Sequence, residues 1–449
     1  MHVAYPGVAA LAQSALGSMT TRAFAPPAAS TGGVGLPPVP ERAVILRGAP
    51  ILTMDESAPV VEALAIRGST ILEVGSLTEI KRHYTSSTEI VDLEGRAVLP
   101  GFVEPHAHVL GTALAGEPRA EAGALVEAIG GTLEAFARRG CTTVYDTAIG
   151  LQAGAAEHEL LGALARAPGA PVRVRGAFVP ELADELGVAP GEGDERYDVV
   201  GVAYWADGAF RDRAAAVAEP YLGGGRGKLE HGEQELREAM RARHRAGWQV
   251  VVHACGDRAI EQVLSCYEAI LAEEPPTPAR HRIEHFTLAR EDHVARAAAL
   301  GLGVSHAINQ LYFCGERLRD ELLGPERAAL AHALRRELEH GVLCACHSDS
   351  PHSPVDPCLT LRTATTRLMY GSEDVLGPFQ QLTLAQALRT VTATPAAHVG
   401  LEGRVGALRP GMLADLVVLD RDPRATAPEK LGEIRVLETW LGGRRQRWA

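Results

Sequence analysis

The stretch Ala97-Val-Leu-Pro-Gly-Phe-Val-Glu-Pro-His-Ala-His108 is an apolar run that ends in two imidazoles one residue apart. In an extended strand, residues i and i+2 share a face, so His106 and His108 point into the same space. Seven further short apolar runs follow: Thr142-Thr-Val-Tyr, Val172-Arg-Val, Val199-Val-Gly-Val, Gln249-Val-Val-Val, His281-Arg-Ile, Gly303-Val and Val342-Leu-Cys-Ala. Between them lie Ala-, Leu-, Glu- and Arg-rich segments with helical spacing, near 120–140, 155–167, 233–246, 257–273, 290–300, 324–340 and 383–399. Strand then helix, repeated about eight times over roughly 300 residues, predicts a parallel α/β fold, and the count favours a closed (β/α)8 TIM-like barrel. Neither G-x-G-x-x-G nor G-x-x-x-x-G-K-[ST] opens any of these helices, so a nucleotide-binding open sheet lacks its signal.

Outside this region the texture changes. Ala43-Val-Ile-Leu, Ala63-Leu-Ala-Ile, Thr70-Ile-Leu-Glu-Val and Glu89-Ile-Val-Asp-Leu are short alternating runs bounded by turn residues, and the same texture returns in Ala414-Asp-Leu-Val-Val-Leu and Arg435-Val-Leu-Glu-Thr-Trp-Leu. Both chain ends are therefore expected to pair into one small sheet domain beside the barrel. The predicted division is a disordered leader over 1–42, a first β segment over 43–98, the barrel over 99–403 and a second β segment over 404–449. The leader assignment rests on an Ala-, Pro-, Gly- and Ser-rich composition with few charges. The same segment has no basic n-region followed by a continuous apolar core, so a signal peptide is not expected.

Composition narrows the function classes. The 449 residues carry a formal charge of −12, which argues against a nucleic-acid backbone or an anionic membrane as partner. No apolar stretch reaches the length of a membrane span. The seven cysteines are an odd number, several of them within apolar runs, as expected for reduced thiols rather than a disulfide frame. The expectation is a soluble, cytoplasmic protein with a small-molecule substrate, which could self-associate into a homo-oligomer.

In a barrel, reactive side chains sit at the C-terminal ends of the strands. The first run ends at His106 and His108, the Gln249 run at His253, the His281 run at His285, and the Val342 run at His347-Ser-Asp349. Any one of the seventeen histidines is by itself more plausibly a surface or core residue than a ligand. Several falling at the ends of strands far apart in sequence make a metal site the better explanation. Imidazoles with a carboxylate suit Zn²⁺, with Fe²⁺ or Mn²⁺ as alternatives.

Taken together, Gly101-Phe-Val-Glu-Pro-His-Ala-His, His253-Ala-Cys-Gly-Asp-Arg-Ala-Ile, Arg282-Ile-Glu-His-Phe and His347-Ser-Asp-Ser-Pro resemble the amidohydrolase superfamily. Within it they are similar to the family 3 branch, to which the N-substituted formamide deformylases belong. Gly406-Ala-Leu-Arg-Pro-Gly-Met-Leu-Ala-Asp-Leu-Val-Val-Leu resembles that superfamily's return strand, and the flanking β segments over 43–98 and 404–449 resemble its small β-sandwich domain. The branch commonly carries a lysine that, carbamylated, bridges two metals, and Ala203 stands where it would align. The resemblance then implies a one-metal arrangement: His106, His108, His253 and Asp349 as ligands of a single divalent ion, most simply Zn²⁺, and His285 orienting the bound water.

Such an ion lowers the pKa of its water toward neutrality, and Asp349 beside it can move the proton to a leaving nitrogen while His285 stabilises the developing oxyanion. The expected activity is metal-dependent hydrolysis of a non-peptide C–N bond in a small amide, formamide or N-acyl compound. Hydrolytic deamination of an aminoheterocycle and a metal-dependent decarboxylase or lyase on the same scaffold are the enzymatic alternatives, and a non-catalytic binding protein is the third class. Asp207, Gln310, His347 and His352 are candidate substrate contacts. For Asp207, placed before Gly208, a turn-forming role is equally open.

Overall fold

The structure is a computed structural model that describes residues 8–22, 42–115, 122–372 and 374–448. It contains two eight-stranded sheets. One is built from β1 (Ala43–Leu52), β2 (Val60–Arg67), β3 (Thr70–Gly75), β4 (Glu89–Asp92) and β5 (Ala97–Pro100) at the start of the chain. The other consists of β6 (Phe102–Ala107), β7 (Cys141–Ile149), β8 (Arg173–Phe178), β9 (Tyr197–Trp205), β10 (Gln249–Ala254), β11 (Arg282–His285), β12 (Gly303–His306) and β13 (Leu343–Cys346). The chain then returns to the first sheet with β14 (Leu416–Leu419), β15 (Val436–Leu441) and β16 (Arg444–Arg447). The path through the first sheet is β16-β15-β14-β5-β1-β2-β3, with β4 on β1, so the two chain ends pair as expected.

The β6–β13 sheet is parallel, and its strands neighbour one another in chain order. Its seam closes where β6 meets the segment after β13. Ala107 bridges Ser350 in parallel, the Asp349 N–H donates to His106 O at 3.2 Å, and the His108 N–H donates to Ser350 O at 2.9 Å. The lower interior is apolar: Val103, Tyr145, Ala177, Ala203 and Val251 pack against Val399, Leu401, Val405 and Leu413. The outer face of the barrel joins its helices in one large core.

Two expectations need correction. The run beginning at Ala97 is not one strand, because β5 pairs antiparallel with β14 in the first sheet and β6 starts the barrel. The chain changes sheets at Gly101, where a Cβ would lie 2.3 Å from the Thr142 side chain. The leader is not wholly disordered either. Residues Val8–Arg22 form a helix against the helices Ala122–Arg138 and Ala155–Arg166, with Val8, Ala12 and Ala15 buried in the core. Its small residues recur at helical spacing, which a reading by composition overlooks. The rest of the leader lies outside the described residues.

The two sheets are joined by a buried ion pair between Arg173 of β8 and Asp415, whose other oxygen accepts the Gly442 N–H at 2.7 Å. All seven cysteines are free, and among the described residues no helix is long and apolar enough to cross a membrane.

Candidate metal centre

His106 and His108 leave the end of β6 toward Asp349. His106 Nε2 lies 3.3 Å and His108 Nε2 3.6 Å from Asp349 Oδ1. One donor atom from each of the three falls within 4.8 Å of the others. The far nitrogen of His106 is committed elsewhere: Nδ1 lies 2.6 Å from Glu284 Oε2, so Nε2 is the nitrogen turned toward Asp349, and a cation bound there would displace its proton. Glu284 is itself fixed by Arg282 Nε at 2.9 Å and by the Ser305 hydroxyl at 2.6 Å. Below this ladder the Arg282 guanidinium stacks over Tyr145, 4.4 Å from the ring centre.

Burial pulls the His106 imidazolium down, but Asp349 and Glu284 outweigh it and raise the pKa to about 9. Burial acts in the opposite sense on Glu284, where Arg282 and His106 prevail and hold the carboxyl well below its usual range. Asp349 is also held low, against its burial, by His285, His106 and His108. A carboxylate kept ionised among imidazoles is the donor set of a divalent cation, and these residues fit one.

Backbone conformation aims the donors. Asp349 has φ 57°, and His285 and Phe286 have φ 70° and 43°, a left-handed region costly for residues with a Cβ. Asp349 is held by the seam bonds, and Ser348 N–H, just before it, reaches the Glu104 carboxylate at 3.2 Å. Burial pushes the Glu104 carboxyl up to about 7.

His253 lines the same cavity as His106, His108 and Asp349, and the donor atoms grouped with its own are those of His285 and Cys255, with its Nε2 3.4 Å from Cys255 Sγ. The His285 ring stands between the groups, 5.0 Å from His106 and 4.4 Å from His253 between centroids. Its buried Nδ1 has no hydrogen-bond partner. Burial draws His253 down to about 4 and His285 well below the usual range, so both rings are neutral and available as ligands or donors.

A cavity of about 130 Å³ opens over these side chains. Asp207, Gln310 and His352 line it, as do Trp205, Phe210, Leu311 and Leu318. Both oxygens of Asp207 are occupied by backbone, accepting from Cys255 N at 2.9 Å and from Gly256 N and Ala216 N at 2.8 Å each. Of its two readings, bracing the loop after β10 therefore has the direct contacts. His347 does not line the cavity; it stacks on His106 at 4.5 Å, and neither ring nitrogen has a partner. Ala203 lies opposite Val251 in the apolar layer, two residues below the Trp205–His253 pair, and no lysine lines the cavity among the described residues.

Glu284, Glu104, Cys255, Arg211, Arg317 and His332 were not foreseen from the sequence. Arg282-Ile-Glu284 carried a signal, since two charges at strand period in a buried run must face each other's partners. Glu104, two residues before His106 on β6, carried the same strand-period signal, whereas the others come from loops and helices whose approach to the barrel mouth no local pattern encodes.

A family model described as the amidohydrolase family matches residues 113–446. YtcJ of Bacillus subtilis, which carries an amidohydrolase name, is 31% identical over 250 residues, covering 53% of this chain and 45% of that protein. An N-substituted formamide deformylase of Arthrobacter pascens is 28% identical over 214 residues, 47% of this chain and 39% of that protein. The matches thus span less than half the length of these two relatives. An imidazolonepropionase of Symbiobacterium thermophilum is 30% identical over 409 residues, 82% of this chain and 86% of that protein. Among solved structures, an uncharacterized metal-dependent hydrolase from Pyrococcus horikoshii superimposes with a TM-score of 0.73 at 20% identity, over 86% of this chain and 99% of that one, a likeness of fold.

Proposed function

This chain belongs to the amidohydrolase family, and from that premise we propose that it hydrolyses a non-peptide C–N bond of a small amide, formamide or N-acyl compound. The observation that carries the reading is the convergence of His106, His108 and Asp349 at the barrel seam, beneath a cavity of small-molecule size. When bound there, a divalent cation supplies Lewis acidity and a nucleophile at neutral pH. His106, His108 and Asp349 would hold it, most simply as Zn²⁺, with Fe²⁺ or Mn²⁺ compatible with the same donors.

The chain's own groups do the remainder. Asp349, ionised and beside the cavity, accepts the proton of the attacking water and returns it to the leaving nitrogen. Neutral His285 faces the same space and can donate to the oxygen on which charge develops. Trp205, Phe210, Leu311 and Leu318 supply apolar walls that limit bulk water around the reacting carbon. Glu284 holds His106 Nδ1, so that Nε2 stays the nitrogen offered to a cation.

The nearly full-length match to an imidazolonepropionase supports a second reading, in which the bond lies in a small ring and hydrolysis opens it. Assay of the metal-loaded protein against formamides, N-acyl amines, cyclic imides and aminoheterocycles separates these outcomes. An amine or ammonia together with an acid supports the first, a ring-opened acid the second, and ammonia released from an aminoheterocycle, or CO₂, would reject both.

Ala203 in the place of a bridging residue argues for about one ion per chain. His253, Cys255 and His285 form a second donor group, and they would be the alternative home of another ion. Elemental analysis and anomalous diffraction count the ions. Two fully occupied sites would reject the one-ion arrangement.

A further inference from the structure

His332 lines the cavity but belongs to none of the donor groups. Its backbone is held at φ 51°, again in the left-handed region. Its N–H donates to Thr287 O at 2.8 Å, and its carbonyl accepts from the fully buried Arg367 at 3.0 Å. A ring fixed this way on a cavity wall has a defined direction, and its Nδ1 meets a second imidazole, His306 Nδ1, at 3.2 Å. On the far side, His306 Nε2 lies 2.7 Å from Glu337 Oε2. His306 and Glu337 have no solvent exposure, and the same Glu337 oxygen accepts from the Cys344 thiol at 3.2 Å.

Proton counting orders this row. An ionised carboxylate can only accept, so His306 Nε2 carries a proton. With one proton on each ring, and each ring donating toward Glu337, His306 Nδ1 is a lone pair. The hydrogen between the two rings therefore belongs to His332 Nδ1, and His332 Nε2 is a lone pair. That nitrogen makes no hydrogen bond among the described residues, on a ring that borders the cavity. The arginines that share the lining, Arg211 and Arg317, can only donate.

We propose that His332 Nε2 is a hydrogen-bond acceptor for an N–H or O–H of the substrate, and that His306 and Glu337 are positioning residues that lock it in this tautomer. The inference rests on the amide-hydrolase reading of the cavity and narrows it to substrates with a donor near the scissile bond, such as secondary rather than fully substituted amides. A substrate without that donor leaves the acceptor desolvated and unpaired, a mismatch that polar sites reject strongly.

Two measurements test this on the zinc-loaded protein. The first compares kcat/KM for a secondary amide and its N-methyl counterpart. The wild type should prefer the secondary amide by roughly tenfold or more, as expected for one unpaired buried acceptor. His332→Phe should abolish the preference, and an undiminished preference in that variant would overturn the proposal. The second measurement needs no turnover. In protein labelled with [15N]histidine, the His332 signals, assigned by their loss in His332→Phe or His332→Gln, should show protonated Nδ1 and unprotonated Nε2. Glu337→Gln, whose amide can donate to His306, should reverse both tautomers and lower kcat/KM for the secondary amide. A protonated Nε2 in the wild type would overturn the proposal. If no amide is turned over by the wild type, the function proposed above fails, while the tautomer still decides for or against the locked acceptor.

Discussion

At the level of Ala203 and Val251, the barrel interior is closed by apolar side chains above Val399, Leu401 and Leu413. Two residues further along the same strands, at the level of Trp205 and His253, the interior is imidazole and carboxylate. Both layers are inward-facing positions of the same β-strands, and both are largely buried. In the lower layer, burial is itself the stabilising term, at about 25 cal/mol per Å² of apolar surface. In the upper layer, burial opposes folding unless each polar atom has a partner. His106 meets that need through Glu284, and Asp349 through His106 and His108, while His285 Nδ1 and both His347 nitrogens have none. The lower layer holds the barrel together, while the upper layer is held by it.

If that division is right, changes in the upper layer should cost activity and changes in the lower layer stability. The largest effect is expected at Asp349. Asp349→Asn keeps an oxygen near the ion but removes the proton acceptor, so turnover should fall by roughly 10²–10⁴-fold at saturating metal. The circular-dichroism melt should shift little. Near wild-type turnover would move the proton route elsewhere and erase the contrast between the layers.

Leu401→Ala probes the other side. It opens a void beneath the barrel, and denaturant unfolding should show a loss of about 2–5 kcal/mol. The kcat of the folded fraction should stay near wild type. A matching fall in kcat would mean that the lower layer also sets the geometry of the upper one.

Glu284→Gln tests the link between them, since Glu284 connects Arg282 to His106. Metal affinity, titrated against a chelator, should weaken by about 10–100-fold, the usual consequence of losing the partner that orients a ligand imidazole. An unchanged affinity would show that His106 is aimed by the seam alone.

The smallest effect concerns a region outside both layers. Removing residues 1–41 deletes the helix Val8–Arg22 and exposes the surface covered by Val8, Ala12 and Ala15. Stability should drop by about 1 kcal/mol, which lowers Tm by a few degrees, with kcat unaffected. A loss as large as that of Leu401→Ala would place this helix with the lower layer in importance.

Much of the arrangement was legible in the residue order. Eight apolar runs separated by helical segments predicted the barrel, and H-x-H at a strand end placed both rings on one face, because strand alternation is a local property. The same local logic located His253, His285 and Asp349 near the barrel mouth. It did not tell which of them meet. Cys255 is brought beside His253 by the loop that Asp207 braces, and the bonds that do so join residues 48 and 49 positions apart. The boundary at Gly101 was missed for a related reason. β5 and β6 are equally apolar, and only pairing with β14, more than 300 residues later, assigns β5 to the other sheet.

Periodicity and residue type are carried by short segments, so the residue order alone sufficed for the class of fold, the family and a set of candidate donors. It took the folded chain to show which candidate donors lie together, which nitrogen of His106 faces Asp349, and that His332, His306 and Glu337 form one row. Those outcomes depend on contacts between strands, loops and helices that are remote in sequence. Whether a buried polar atom is a ligand, a brace or an acceptor is set by what stands within about 3 Å of it.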